Sequence, residues 1–145
     1  MRQLIFKSGK YLFLSVILMF FAHSCKKDQN TVIPYVPFTF TVNLVINNAL
    51  TVPGNSIYFP GAGFGGVVVY CAEQGIYYAF DAACTYEVSN TCIVKNEGVL
   101  GTCPCCGSQF VFIGGAVSSD GPAAMPLRQY NVAVVNSTTL QVYNN

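Results

Sequence analysis

Histidine is nearly missing from this chain: the sequence holds one, His23. That residue lies in an N-terminal segment whose pattern predicts removal, so the mature chain would have no imidazole to give a metal. Ser118, Ser119 and Asp120 accordingly lack a histidine for a catalytic triad, and a lysine base would have to be Lys95 or a tether lysine. Positive charge is scarce too. From Cys25 onward the cations are Lys26, Lys27, Lys95 and Arg128, against Asp28, Glu73, Asp81, Glu87, Glu97 and Asp120. No basic stripe results, which excludes nucleic acid as an expected partner. The acids from Glu73 onward show no paired spacing and read as solvated turn residues. No second long apolar run follows the N-terminus, so any membrane contact is expected there alone. Nor does any stretch after Cys25 sustain an amphipathic helix of ten residues. The expectation is a non-enzymatic protein without helical architecture.

What is present begins with an export pattern. Arg2, Lys7 and Lys10 form a positive region, and Tyr11 to Ala22 an apolar run of twelve. That run is short for a membrane span and suits the core of a signal peptide. Ala22-His23-Ser24-Cys25 follows, then Lys26-Lys27-Asp28. The arrangement resembles a bacterial lipobox, with Ala22 where leucine is preferred. The resemblance implies a lipoprotein signal peptide over residues 1–24, lipidation at Cys25 and a lipid-anchored tether over 25–37. It further implies a place in the bacterial cell envelope, on the outer membrane rather than the inner because lysine follows the cysteine.

The rest suits one compact domain, residues 38–145. Phe38 to Leu44 alternates at period two, and Val67 to Cys71 is short and β-branched. Ile76 to Phe80 follows a Gln-Gly turn and predicts a hairpin with the preceding strand. Further strands are expected over Cys92–Lys95, Val99–Thr102, Gln109–Ile113, Gln129–Val135 and Thr139–Tyr143, with glycine, proline or asparagine between them. The fold class is all-β. Tyr70, Tyr77, Tyr78, Tyr86 and Tyr130 are expected to pack on sheets with hydroxyls reaching water. The glycine-rich segment Pro60 to Gly66 precedes no helix, so it reads as a flexible loop entering a strand and not as a phosphate cradle.

Beyond Cys25 there are six cysteines: Cys71, Cys84, Cys92, Cys103, Cys105 and Cys106. In an exported domain an even number first suggests disulfides, whose pairing the sequence does not choose. Adjacent Cys105 and Cys106 are poor partners for each other. Cys71, on an expected strand, reads as a buried core thiol. Cys103-x-x-Cys106-Gly107 reads as a knuckle, its glycine turning backbone amides toward the sulfurs. With Cys84 and Cys92 it predicts a four-thiolate site, Cys84, Cys92, Cys103 and Cys106, for zinc or a [2Fe–2S] cluster.

From about Gly66 to Tyr143 the order of features resembles a Rieske domain. Cys84-Thr85-Tyr86 matches the first ligand box, with Tyr86 at its histidine position, and sixteen residues separate Tyr86 from Cys103. Cys103-Pro104-Cys105-Cys106-Gly107-Ser108 matches the second box, with Cys106 at its histidine position. Gly121-Pro122-Ala123, Pro126-Leu127 and Tyr130 follow as the loop that covers the cluster and the strand leaving it. The resemblance implies a Rieske-like, iron–sulfur-protein (ISP) type fold of several antiparallel sheets with two cluster-type loops. In that family two cysteines hold one iron and two histidines the other, so Cys84 and Cys103 match ligand positions. A normal histidine-ligated centre is not expected. Tyr86 is a poor default ligand, its phenol titrating at about 10, whereas Cys106 is a competent one. One branch of the family joins its loops through a disulfide at the position of Cys105. There the partner lies five residues after the first ligand, where this chain has Ser89. Cys92 is the nearest substitute, which makes Cys92 and Cys105 the disulfide candidates. Cys84 with Cys103 or Cys106 is a further pairing open once metal is lost. Two functions therefore stay open: a disulfide-stabilised binding or accessory module with no cofactor, and an electron-transfer protein with a cysteine-ligated [2Fe–2S] cluster or structural zinc. The membrane, through the lipid anchor, and a redox or envelope protein are the expected partners.

Overall fold

The computed structural model describes residues 31–145. The expected signal peptide, Cys25 and residues 26–30 of the expected tether lie outside the described residues. Among the described residues ten antiparallel strands form two sheets. The larger has the order β1-β10-β9-β4-β3-β2, built from β1 (Phe38–Asn43), β2 (Ser56–Phe59), β3 (Val67–Glu73), β4 (Ile76–Asp81), β9 (Gln129–Asn136) and β10 (Thr139–Asn144). The smaller has the order β5-β6-β7-β8, from β5 (Lys95–Glu97), β6 (Leu100–Thr102), β7 (Gln109–Val111) and β8 (Val117–Asp120). The fold class is as the sequence predicts. Among the described residues, helix is confined to one 3-10 turn, Asn48–Thr51.

Strand β3 is the wall between two cores. Its side chains alternate at period two, and both faces are covered, so its run reads as continuously apolar. Val68 and Tyr70 face a core shared with Phe80, Phe110, Phe112 and Leu127. Val67, Val69 and Cys71 face another, with Val42, Leu50, Tyr130, Leu140 and Val142. The sulfur-bearing loops grow from the first core. The β3–β4 hairpin forms across Gly75 (φ +86°), which the tight turn requires.

Several expectations need correction. The strand expected over Cys92–Lys95 starts at Lys95; Ile93 forms an isolated bridge with Ala83, and Val94 donates its amide to Ala82 at 2.7 Å. That stretch is the return limb of a loop tied to its own outgoing limb. Strands β2 and β8 carry no long alternating pattern and were not expected. Part of the stretch expected as tether, 25–37, packs on the domain. Ile33 is buried, its carbonyl accepts from Arg128 Nη1 at 3.0 Å, and Asn144 Nδ2 donates to Val36 O at 2.7 Å.

Asp81 is not a solvated turn residue. It ends β4 fully buried, and its carboxylate accepts from the amides of Phe64 (2.8 Å), Gly65 (3.0 Å) and Ala83 (2.8 Å) and from the Tyr130 hydroxyl (2.5 Å). Four donors replace the water that burial removes. Tyr130 therefore sends its hydroxyl to a carboxylate rather than to solvent; burial first, then Asp81, raises its pKa. The glycine-rich segment is correspondingly fixed. A Cβ on Gly65 would meet Ala83 N at 2.5 Å, so only glycine lets this loop lie against the base of the first sulfur loop.

Candidate functional site

Three loops meet at one end of the domain. The first, residues 82–94, joins β4 to β5; the second, 103–108, joins β6 to β7; the third, 121–128, joins β8 to β9. The second closes on itself: Cys103 N donates to Ser108 O at 2.8 Å, and Gly107 N to Cys103 O at 2.9 Å. Gly107 sits at φ +76° with nothing near its would-be Cβ, so its requirement is conformational. Ser108, fully buried, accepts from Ala123 N at 3.0 Å and so pins the third loop to the second. Thr85 Oγ1 donates to Met125 O at 2.7 Å and pins the third loop to the first.

Within this frame the sulfurs of Cys84, Cys103 and Cys106 lie within 4.8 Å of one another. The Cys84 and Cys106 sulfurs are 3.5 Å apart, and none of the three is bridged. Cys84 and Cys103 are fully buried, and Cys106 is half-buried. Around a common ion, with bonds to sulfur of about 2.3 Å, sulfurs stand about 3.4–4 Å apart. The observed spacing is of that order.

The electrostatics of the sulfurs differ. Burial pushes the Cys84 thiol up to about 12, against the lowering pull of the Glu87 and Tyr86 backbone amides. Burial also works to raise Cys106, but the hydroxyl and amide of Ser108, aided by Cys84 and Cys103, outweigh it and hold this thiol below its usual value. Cys106 Sγ donates to Ser108 Oγ at 3.1 Å when protonated. Donors aimed at sulfur favour the thiolate, the form that binds metals.

Cys92 does not join them. It forms a disulfide with Cys105, Cα atoms 5.9 Å apart, which staples the first loop to the second. A bridged sulfur is not a free thiolate, so the four-cysteine set reduces to three here. Tyr86 is 57% exposed, outside the sulfur group. Cys71 lies in β3, fully buried, its sulfur donating to Glu73 O at 3.3 Å. Ser108 and Asp81 were missed as supporting residues. The serine was visible as the end of the second box, whereas nothing local marks the aspartate.

No family profile matches this chain, and no curated protein matches it. Among solved structures it is similar to a chain of the complex of reduced oxygenase and oxidized ferredoxin in carbazole 1,9a-dioxygenase. That match has 21% identity and a TM-score of 0.52, and it covers 72% of this chain and 92% of that one. It is also similar to the ferredoxin of carbazole 1,9a-dioxygenase from Nocardioides aromaticivorans IC177. There identity is 23% and the TM-score 0.49, over 76% of this chain and 99% of that one. At such identities the likeness speaks to fold alone. The fold is the all-β, Rieske-like fold of such ferredoxins, and the sulfur group sits on its two cluster-type loops.

Proposed function

We propose that this protein is a one-electron-transfer module in which Cys84, Cys103 and Cys106 hold a cysteine-ligated iron–sulfur cluster. The observation that carries the reading is the set of three unbridged sulfurs within 4.8 Å of one another, held on two loops and supported by donors. A histidine-ligated [2Fe–2S] centre does not fit, because residues 31–145 contain no histidine. Soft thiolates do fit a cysteine-ligated one. The three sulfurs give three of the four ligands such a cluster takes, and Tyr86, two residues from Cys84, is the phenol nearest in sequence to the site. When bound, the cluster would supply a one-electron couple of low potential, without the rise that histidine ligation brings. The chain's own residues orient and shield: Ser108 and the amides after Cys84 direct hydrogen bonds at sulfur, and the third loop covers them.

The same proposal places the mature chain in the bacterial cell envelope, held by a lipid on Cys25 to the outer membrane. It is not an enzyme by itself, and its partner is a redox protein. A second reading is favoured by the Cys92–Cys105 disulfide: a binding or accessory module with no metal, stapled at its loops.

Purification without oxygen, followed by a visible spectrum, iron and zinc assays and a thiol count, tests both. Red-brown protein with stoichiometric iron is expected. Zinc alone would make the site structural. Colourless, metal-free protein after attempted cluster reconstitution would sink electron transfer and leave the accessory module.

A further inference from the structure

Three sulfurs, those of Cys84, Cys103 and Cys106, converge here without a fourth cysteine, histidine or carboxylate among the described residues. Glu87, three residues after Cys84, is exposed and has its Oε2 3.9 Å from Cys92 Sγ, at the disulfide, while Asp81, three residues before Cys84, spends its carboxylate on Phe64, Gly65, Ala83 and Tyr130. The two cations of residues 31–145 are engaged or placed elsewhere: Lys95 is exposed on β5, and Arg128 lies over the rings of Tyr35 and Tyr130.

Charge then selects the occupant. Cys84 and Cys103 are fully buried in a core with Phe110, Phe112 and Leu127, where a residual charge is costly. Three thiolates around a monovalent ion keep two negative charges, and around a divalent ion they keep one. Around a trivalent ion they keep none. A trivalent ion of the arsenic group forms three bonds to sulfur in a pyramid, and its lone pair occupies the fourth direction. The missing fourth cysteine, histidine or carboxylate is then no deficiency.

We infer that the apoprotein's Cys84, Cys103 and Cys106 form a receptor for trivalent arsenic or antimony, taken up as the neutral hydroxide. In this step three arsenic–oxygen bonds break and three arsenic–sulfur bonds form. Each thiol proton leaves with a hydroxide as water, so the oxidation state is unchanged and no oxidant or reductant is consumed. Cys106, half-buried, meets the hydroxide first, and the two buried sulfurs complete the pyramid behind it. The Cys92–Cys105 bridge takes no part and keeps the loops facing each other. The receptor uses the same thiols as the proposed cluster but does not depend on a cluster ever being assembled.

The test titrates metal-free protein, its disulfide left intact, with sodium arsenite. X-ray absorption at the arsenic edge then counts sulfur neighbours. The expected result is one arsenic per chain with three sulfurs and all three thiols protected from alkylation. Cys106→Ser should weaken binding by more than about 100-fold, since loss of contacts merely behind a ligand already costs about 10- to 100-fold. Cys71→Ala should leave binding unchanged. No uptake, two sulfur neighbours, or full affinity in Cys106→Ser would overturn the inference, and the sulfur count on the unaltered protein needs no variant to fold. Iron reconstitution on the same preparation separates the two proposals. Iron without arsenite uptake overturns only the receptor, and arsenite without iron uptake overturns only electron transfer.

Discussion

Cys105 and Cys106 are neighbours in sequence with opposite fates. Cys105 crosses to Cys92 in a covalent staple, while Cys106 turns to the unbridged sulfurs of Cys84 and Cys103. The staple connects the two loops directly and needs little else. The thiol group depends on the serine, the amides and the third loop that orient it. Under the proposed function one pair of residues divides mechanical and chemical duty, and adjacent cysteines need not share a bonding state.

Both cysteine sets stand on Asp81. Asp81 holds the Ala83 amide, one residue before Cys84, together with the glycine-rich loop and Tyr130. Asp81→Ala leaves four donors, three of them buried, without an acceptor and should cost about 3 kcal/mol or more in urea unfolding. It should also lower metal uptake. Removing the staple alone comes next. Cys92→Ser with Cys105→Ser opens a loop of sequence separation 13 and should cost about 2–4 kcal/mol. Metal stoichiometry should survive that change; its loss would show that the two sets do not divide their duties.

Smaller is Ser108→Ala, which removes the hydroxyl facing Cys106 and the acceptor for Ala123 N. A cost of about 1–3 kcal/mol is expected. The Cys106 pKa should move up toward its ordinary value, seen as a shifted alkylation profile. The gentlest probe is that profile itself. Alkylation follows the thiolate, so a lowered pKa makes Cys106 react with a midpoint below that of an ordinary cysteine thiol. Cys84, pushed up to about 12, should resist until the protein opens. Reaction of Cys84 before Cys106 in metal-free protein would reverse this assignment.

Much of this was legible in the chain. The period-two run of β1, the hairpin of β3 and β4, and the two boxes with their covering loop locate the loops before any coordinates. The Cys92–Cys105 pairing followed from the family resemblance. What escaped was written in contacts between residues distant in sequence. Asp81 looks like any turn acid until Phe64, Gly65, Ala83 and Tyr130 are brought around it. Cys92 matched a thiolate ligand in chemistry, and only the proximity of Cys105 removes it. Strands β2 and β8 are four residues each, too short for an alternation to register.

Strand β3, covered on both faces, has a consequence for how the molecule reports on its site. One face supports the core under the sulfur loops and the other the core beneath β1 and β10. Neither half can melt while leaving β3 in place, so the domain is expected to unfold in a single step. Whatever occupies the sulfurs then raises the melting temperature of the whole domain by mass action. Slowed hydrogen exchange at the Tyr143 amide on β10, in the sheet's far strands, would register an ion bound on the other side of the wall.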